Sequence, residues 1–135
     1  MNILPLLALS SALAGSPRLV EPGSIEWKAS GSLPAGAAIL EYHVVHEDPV
    51  SHAFQVLVRF SKGYALAAHE HPHDETIVVL KGKLRVRLGA EEKVLGPGSY
   101  AAIPAGTEHA LATAGWGGCE LLISFAGPVD LSKQK

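Results

Sequence analysis

The chain alternates apolar and polar residues over many short stretches, and no stretch repeats apolar residues at the 3.6-residue spacing of an amphipathic helix. The alternation is clearest where Phe54, Val56, Val58 and Phe60 fall on one face of an extended strand. Comparable runs predict strands at residues 37–42, 54–60, 64–71, 76–80, 84–88, 99–103, 109–113 and 119–125. Strands this short and numerous predict an all-β sandwich or barrel.

Glycine and proline mark the breaks between these strands, at stretches such as 81–83, 96–98 and 104–106. A length of 135 residues fits a single domain. The pattern predicts a β-barrel at residues 37–128, followed by a C-terminal tail at 129–135. Residues 15–36 are predicted to form an irregular N-terminal arm with a short edge strand near 24–28.

The first fourteen residues are predicted to be a signal peptide. Residues 3–14 are apolar apart from two serines, and Ala12, Leu13 and Ala14 form the small-x-small pattern that signal peptidase cleaves. At about twelve residues the stretch is shorter than the roughly 20 needed to span a bilayer, so we expect no stable membrane insertion after cleavage. The start, Met1-Asn2, lacks the usual positive charge, and the alternative is an N-terminal strand or arm in a cytoplasmic protein. Export to the periplasm or medium is the expectation.

Composition and charge exclude several classes of function. The net charge of −2 provides no electrostatic attraction to nucleic acid. A single cysteine, Cys119, excludes an intrachain disulfide and a multi-cysteine zinc site, and its apolar neighbours predict that it is buried. Lys83, Arg85 and Arg87 alternate with apolar residues and are predicted to form the solvated outer face of a strand.

The chemistry-bearing residues cluster between residues 69 and 75. His69 and His71 are two apart, so on a strand both side chains point to the same face, and Glu75 begins the next predicted strand. His109 follows a Pro-x-Gly turn and shares a face with Leu111 and with residue 113. Imidazoles and a carboxylate that converge inside a barrel are costly without a partner and form a ready site for a divalent metal. The alternative is a hydrogen-bonded polar network that holds no ion.

These residues resemble the motifs of the cupin family. The first cupin motif, G-x5-H-x-H-x3,4-E-x6-G, is matched at every position, by Gly63, His69, His71, Glu75 and Gly82. The second, G-x5-P-x-G-x2-H-x3-N, is matched by Gly98, Pro104, Gly106 and His109, with Thr113 in place of the final asparagine. That position is not a metal ligand in the family, so the departure affects local packing and hydrogen bonding.

The resemblance implies a single-domain cupin with a jelly-roll β-barrel, similar to small exported microbial cupins. It implies one divalent transition metal (iron, manganese, zinc, nickel or copper), with His69, His71, Glu75 and His109 as the ligands. Cupins with this ligand set include dioxygenases, isomerases, decarboxylases and lyases. The resemblance therefore implies a metal-dependent enzyme with a small-molecule substrate.

Further residues are candidates for roles around the site. Tyr64, His73 and Tyr100 are candidate catalytic residues. Packing in the core or at the rim is the favoured alternative for each tyrosine, and His73 is expected in a loop at the barrel mouth. Glu70 and Asp74 flank the ligands and are candidates for orienting an imidazole. Trp116 is a further candidate for lining a pocket, whereas His43, His46 and His52 are assigned to the surface.

Two classes of function remain open on the sequence. One is the metalloenzyme; the other is a non-catalytic module that binds or senses a small ligand or a metal. An exposed β edge needs covering, so we also expect a homodimer, with the apolar strand 54–60 as part of the contact.

Overall fold

The computed structural model describes residues 17–31 and 36–133, so the predicted signal peptide lies outside the described residues. Within these ranges, no helix is long and apolar enough to cross a membrane. The described residues form ten β-strands: Lys28–Ala29 (β1), Leu40–Glu47 (β2), Phe54–Phe60 (β3), Ala65–His69 (β4), Glu75–Lys81 (β5), Lys83–Leu88 (β6), Glu91–Leu95 (β7), Tyr100–Ile103 (β8), His109–Ala114 (β9) and Cys119–Phe125 (β10). Two short 3-10 helices, Pro22–Ser24 and Leu131–Lys133, lie near the two ends of the described chain. The prediction of an all-β fold is confirmed.

The strands form two antiparallel sheets that face each other. The larger sheet has the order β1-β2-β3-β10-β5-β8, and the smaller has the order β4-β9-β6-β7. Consecutive strands therefore often lie in different sheets, and the two histidine-bearing strands, β4 and β9, are neighbours in the smaller one. The glutamate-bearing strand β5 belongs to the larger sheet.

The core lies between the sheets and is formed by the inward residues of the alternating strands. On β3 the buried residues are Phe54, Val56, Val58 and Phe60, as the alternation predicts. Cys119 is buried, also as predicted, and burial raises the pKa of its thiol. Thr113, which stands where the family has asparagine, is buried and donates from Oγ1 to the carbonyl oxygen of Ser61 at 2.9 Å.

The strands β7, β1 and β2 differ from the sequence prediction. Residues 91–95, where the sequence pattern predicts no strand, form the strand β7, which pairs with β6 at the edge of the smaller sheet. An edge strand tolerates charged side chains because one side of it faces solvent. The short strand predicted near 24–28 is instead β1, preceded by a 3-10 helix. The strand predicted at 37–42 begins at Leu40 and continues to Glu47, so it includes His43 and His46, which are half-buried.

The strand predicted at residues 64–71 ends earlier than its sequence pattern indicates. Residues 64–71 were expected to be one strand, but β4 ends at His69, and its pairing with β9 shifts register between Leu66 and His69. His71 therefore lies in the loop that leads to β5. The simple alternation argument for His69 and His71 is wrong at this point, although their rings still lie together.

Candidate metal centre

The three histidines of the two motifs converge at one end of the barrel. His69 ends β4, His109 begins β9, and the two are cross-strand partners with ring centroids 4.2 Å apart. The ring of His71 lies 4.8 Å from that of His69 and 5.5 Å from that of His109. One ring nitrogen from each histidine lies within 4.8 Å of the others, which makes the group a cluster able to hold a metal ion.

Glu75, the first residue of β5, contributes a buried carboxylate from the opposite sheet. Its Oε1 lies 3.0 Å from Nε2 of His109 and 3.7 Å from Nε2 of His71. Both atoms are buried, and within the described chain neither Glu75 Oε1 nor His109 Nε2 has a hydrogen-bond partner. Ligands bonded at about 2.1 Å to one metal have this kind of spacing without sharing a proton. Two buried polar atoms left in this way fit a site built for an ion.

Backbone carbonyl groups orient two of the three imidazoles. Nδ1 of His69 lies 2.7 Å from the carbonyl oxygen of Ala67, and Nδ1 of His109 lies 2.8 Å from that of Thr107. A carbonyl only accepts, so each Nδ1 carries the proton and donates it. When the ring is neutral, each Nε2 therefore keeps its lone pair, which is the arrangement that metal-binding histidines use.

Burial and the nearby carboxylate set the charge of the histidines. Burial lowers the pKa of His69 and of His71, more than the Glu75 carboxylate raises it, so both rings are neutral at pH 7. At His109 burial also lowers the pKa, but Glu75 and the Thr107 carbonyl together outweigh it and the net shift is upward. Neutral imidazoles are the form that binds a metal, and an ion at His109 must displace the proton that Glu75 favours.

Hydrogen bonds connect the loops of the two motifs directly. The backbone N–H of Ala105 donates to Oδ1 of Asp74 at 2.8 Å, and the N–H of Gly106 donates to the carbonyl oxygen of His71 at 2.9 Å. The sequence suggested Asp74 as a partner for an imidazole; in the structure its carboxylate instead holds the turn that precedes His109. Glu70, the other candidate, is exposed.

The structure places the three candidate catalytic residues in different surroundings. His73 is half-buried in the loop between β4 and β5, as expected, and its ring occupies the place that a side chain at Gly127 would take. Tyr64 is buried with its ring 4.7 Å from that of Phe60, and its carbonyl binds the N–H of Thr113, four residues along β9 from His109. Burial raises the pKa of Tyr64.

Tyr100 and Trp116, both candidates for lining a pocket, are exposed. Tyr100 is 62% exposed, and it pairs with Val78 on the outer face of the larger sheet, so its ring points away from the cluster. Trp116 lies in the loop before β10, where Nζ of Lys62 is 5.4 Å from its ring centroid. Neither contributes to the interior beside the histidines.

A small apolar cavity adjoins the cluster. The volume of the cavity that the centre of a water molecule can occupy is about 20 Å³, which is little more than one water needs. Its lining includes His69, His71 and Glu75, and the remaining residues are apolar: Leu40, Val58, Phe60, Leu66, Leu111, Ile123, Phe125 and Leu131. All of these apolar residues except Leu131 lie in strands that the sequence predicts. Leu131 falls in the predicted C-terminal tail, so the sequence prediction missed its contribution.

The family follows from a match with a known domain model. Residues 56–125, just over half of the chain, match the model of the cupin domain. The chain belongs to the cupin family. The expectation of a small single-domain cupin is confirmed, and the two-sheet barrel described above is its jelly-roll fold.

Individual relatives add detail about this cupin. Over 55 residues, 40% of the chain, it is 47% identical to quercetin 2,3-dioxygenase of Bacillus subtilis, and the match spans 16% of that enzyme. A predicted oxalate decarboxylase from Thermotoga maritima superposes with a TM-score of 0.70 at 16% identity, covering 82% of this chain and 100% of the other. An RmlC-like cupin from Shewanella frigidimarina gives 0.68 at 20% identity, covering 85% and 95%. At such identities the two structures show the fold alone.

Proposed function

We propose that this cupin binds one divalent transition metal through His69, His71, His109 and Glu75. The observation that carries the proposal is the pair of buried atoms, Glu75 Oε1 and His109 Nε2, which lie 3.0 Å apart without a hydrogen bond. Removing the hydration of two such polar groups is costly, and an ion between them would restore the lost interactions. Imidazole-rich sites accept iron, manganese, nickel, copper or zinc according to availability, so the proposal covers all five.

The ligand set determines what a bound ion would supply. Three neutral imidazoles and one carboxylate would leave a divalent ion with a net charge of +1, suited to polarising an anionic oxygen or lowering the pKa of a bound water. On the protein side, the carbonyls of Ala67 and Thr107 orient two of the proposed ligands, His69 and His109. The apolar cavity walls leave room for about one water on the inner side of the site.

We propose further that the protein is an enzyme of the dioxygenase type acting on a small molecule. Support comes from the similarity to quercetin 2,3-dioxygenase, although it covers 16% of that enzyme. In the described part of the chain, the cavity lining contains no titratable side chain besides the proposed ligands, so a reaction here has no separate acid or base on that side. Chemistry that depends on the ion itself fits this lining better than proton transfer between side chains.

A second candidate function is a non-catalytic module that binds a small ligand or the metal itself. The specific observation in its favour is the cavity size of about 20 Å³, which leaves little space for an organic substrate. Turnover separates the two candidates. The metal-loaded protein should convert at least one member of a panel of small carboxylates, sugars and catechols if it is an enzyme, and should bind without conversion if it is not.

Metal content tests the site itself. Protein purified without a chelator or a His tag is expected to hold about one ion per chain, and His71→Ala is expected to hold almost none. His43→Ala is the matched control, because His43 is half-buried on β2 with its Nδ1 3.1 Å from the carbonyl oxygen of Glu26, away from the cluster. Metal-free wild-type protein whose melting temperature does not rise with any of the five ions would contradict the proposal.

We also propose that the protein is exported and that it forms a homodimer. The apolar stretch with Ala12, Leu13 and Ala14 supports cleavage near residue 14. N-terminal sequencing of protein recovered from the host's envelope fraction tests this, and a cytosolic protein that begins at Met1 would contradict it. A homodimer is supported by the outer face of the larger sheet, to which strand 54–60 contributes Leu57. The other four apolar side chains of this strand, Phe54, Val56, Val58 and Phe60, are buried inside the barrel.

A further inference from the structure

One apolar residue of the cavity wall, Leu131, is held by a different part of the fold from the other apolar lining residues. In the described chain, Leu131 is the single apolar lining residue that lies outside the two sheets; the others belong to β2, β3, β4, β9 and β10. Leu131 is 8% exposed, so its side chain is inserted into the core from the short 3-10 helix that follows β10. The wall beside His69, His71 and Glu75 is thus completed by a segment outside the sheets.

Side-chain and backbone hydrogen bonds fix this segment to the N-terminal arm. Oγ of Ser30 donates to the carbonyl oxygen of Leu131 at 2.6 Å, and the N–H of Gly31 donates to that of Ser132 at 3.0 Å. Within the turn, Oδ1 of Asp130 accepts from both the N–H and the hydroxyl of Ser132. No described residue after Phe125 pairs in a sheet, so the segment can separate from the barrel while the strand ladders stay intact.

We propose that Leu131 is a specificity-determining plug, which limits the ligands that reach the metal centre from inside the barrel to those of a few non-hydrogen atoms. The proposal rests on the proposed function, because it takes the centre to hold a metal ion. The space left beside Leu131 is large enough for about one water molecule. Moving the strands apart to widen this space would break strand pairing. A ligand larger than this must displace the Leu131 side chain.

The first test uses the full-length, metal-free protein and benzene, so it does not depend on an ion. Leu131→Ala is expected to bind benzene, as seen in a raised melting temperature and in shifts of the imidazole C–H proton resonances of His69 and His71. Val129→Ala is the matched control, because Val129 lies on the same segment and packs against the core without lining this cavity. The control and the wild type are expected to show neither change.

The second test uses the cobalt-loaded protein, whose visible absorption reports ligands at the ion. The probes are azide, which is small, and 4-phenylimidazole, which is large. In Leu131→Ala the ratio of the Kd for 4-phenylimidazole to the Kd for azide is expected to fall by about tenfold or more relative to wild type, because the larger probe no longer meets the leucine. In Val129→Ala the ratio is expected to stay at its wild-type value.

The outcomes separate this proposal from the proposed function. If cobalt does not bind, the proposed function fails, and the benzene test still decides whether Leu131 closes the cavity beside the histidines. The proposed role of Leu131 is overturned if wild type binds benzene as well as Leu131→Ala does, or if benzene leaves the resonances of His69 and His71 unmoved in Leu131→Ala. It is also overturned if the ratio of the two Kd values in Leu131→Ala equals that of wild type. Should Leu131→Ala fail to fold, Leu131→Val and Ser30→Ala provide the same comparison, since the latter removes the hydroxyl that binds the Leu131 carbonyl but keeps the leucine.

Discussion

Gly82, at the turn between β5 and β6, has a backbone angle φ of +75°, which L side chains adopt only at a cost of about 1–2 kcal/mol. A Cβ there would also collide with the carbonyl oxygen of Gly118 and the Cα of Cys119, both of them backbone atoms that cannot move aside easily. Gly63, the first glycine of the same motif, has nearly the same φ of +78° but open space where a Cβ would be. The two glycines therefore separate backbone strain from steric collision.

We expect Gly82→Ala to lower the free energy of unfolding by about 3 kcal/mol or more, because strain and collision add. Gly63→Ala is the control and is expected to cost about 1–2 kcal/mol through strain alone. Urea unfolding monitored by circular dichroism measures both, provided that the slope of the transition stays constant. If the two variants lose the same free energy of unfolding, the contact with Gly118 does not contribute to the destabilisation.

At this same scale, residue type and spacing predicted which side chains meet, but not how they are oriented. The grouping of His69, His71 and His109 with Glu75 agrees with the two motifs. The carbonyls of Ala67 and Thr107, which fix two of the imidazoles, could not be predicted, since every residue has a carbonyl and sequence does not mark its direction. Leu131 was missed because its inward position depends on how the segment after β10 folds back.

Among the elements, the loop after β4 and the turn before β9 jointly position the proposed metal ligands. Asp74 connects the two through its hydrogen bond with the N–H of Ala105. We expect Asp74→Ala to reduce metal affinity by roughly tenfold, since partners that orient ligands typically contribute 10–100-fold. Its loss of unfolding free energy should be smaller, about 1 kcal/mol, because Asp74 is exposed to water. Asp74→Asn keeps the acceptor oxygen and should restore most of the affinity.

Titration of the metal-free protein with zinc, followed by calorimetry, measures these affinities. Glu70→Ala is the matched control, because it removes an exposed carboxylate from the same loop and so changes the local charge by the same amount. If Glu70→Ala and Asp74→Ala lower the affinity equally, the effect is one of charge rather than of position. If Asp74→Asn is as weak as Asp74→Ala, the hydrogen bond to Ala105 does not position the ligands.

The strands were predicted well where one side of the strand faces the core and poorly where it does not. β3 and β10 match their predicted limits because alternation records burial directly. β7 was missed because it is an edge strand with mostly exposed residues, so its pattern lacks an apolar face. The end of β4 was misplaced because its register shift interrupts the alternation before His71.

On the scale of the whole molecule, the outer faces of the two sheets differ in character. Across the larger sheet, Leu57, Leu122, Val78 and Tyr100 are successive cross-strand partners and form an apolar row. Ion pairs flank this row, with Arg59 Nε 2.8 Å from Glu41 Oε1 and Lys81 Nζ 4.0 Å from Glu120 Oε2. On the smaller sheet the matching row is Ala65, Ala112, Arg85 and Val94, which combines small residues with a charge.

An apolar row with a polar border is the usual composition of a contact between subunits, and a twofold pair would bring the same row of each subunit together. We therefore expect wild-type protein to have twice the mass of one chain in light scattering at tens of micromolar. Leu122→Lys places a charge at the centre of the row and should give a monomer, because an unpaired buried charge opposes association. Val94→Lys, a similar change at a residue 49% exposed on the other sheet, should leave the mass unchanged. A monomeric wild type, or a dimer that survives Leu122→Lys, would rule out this face as the contact.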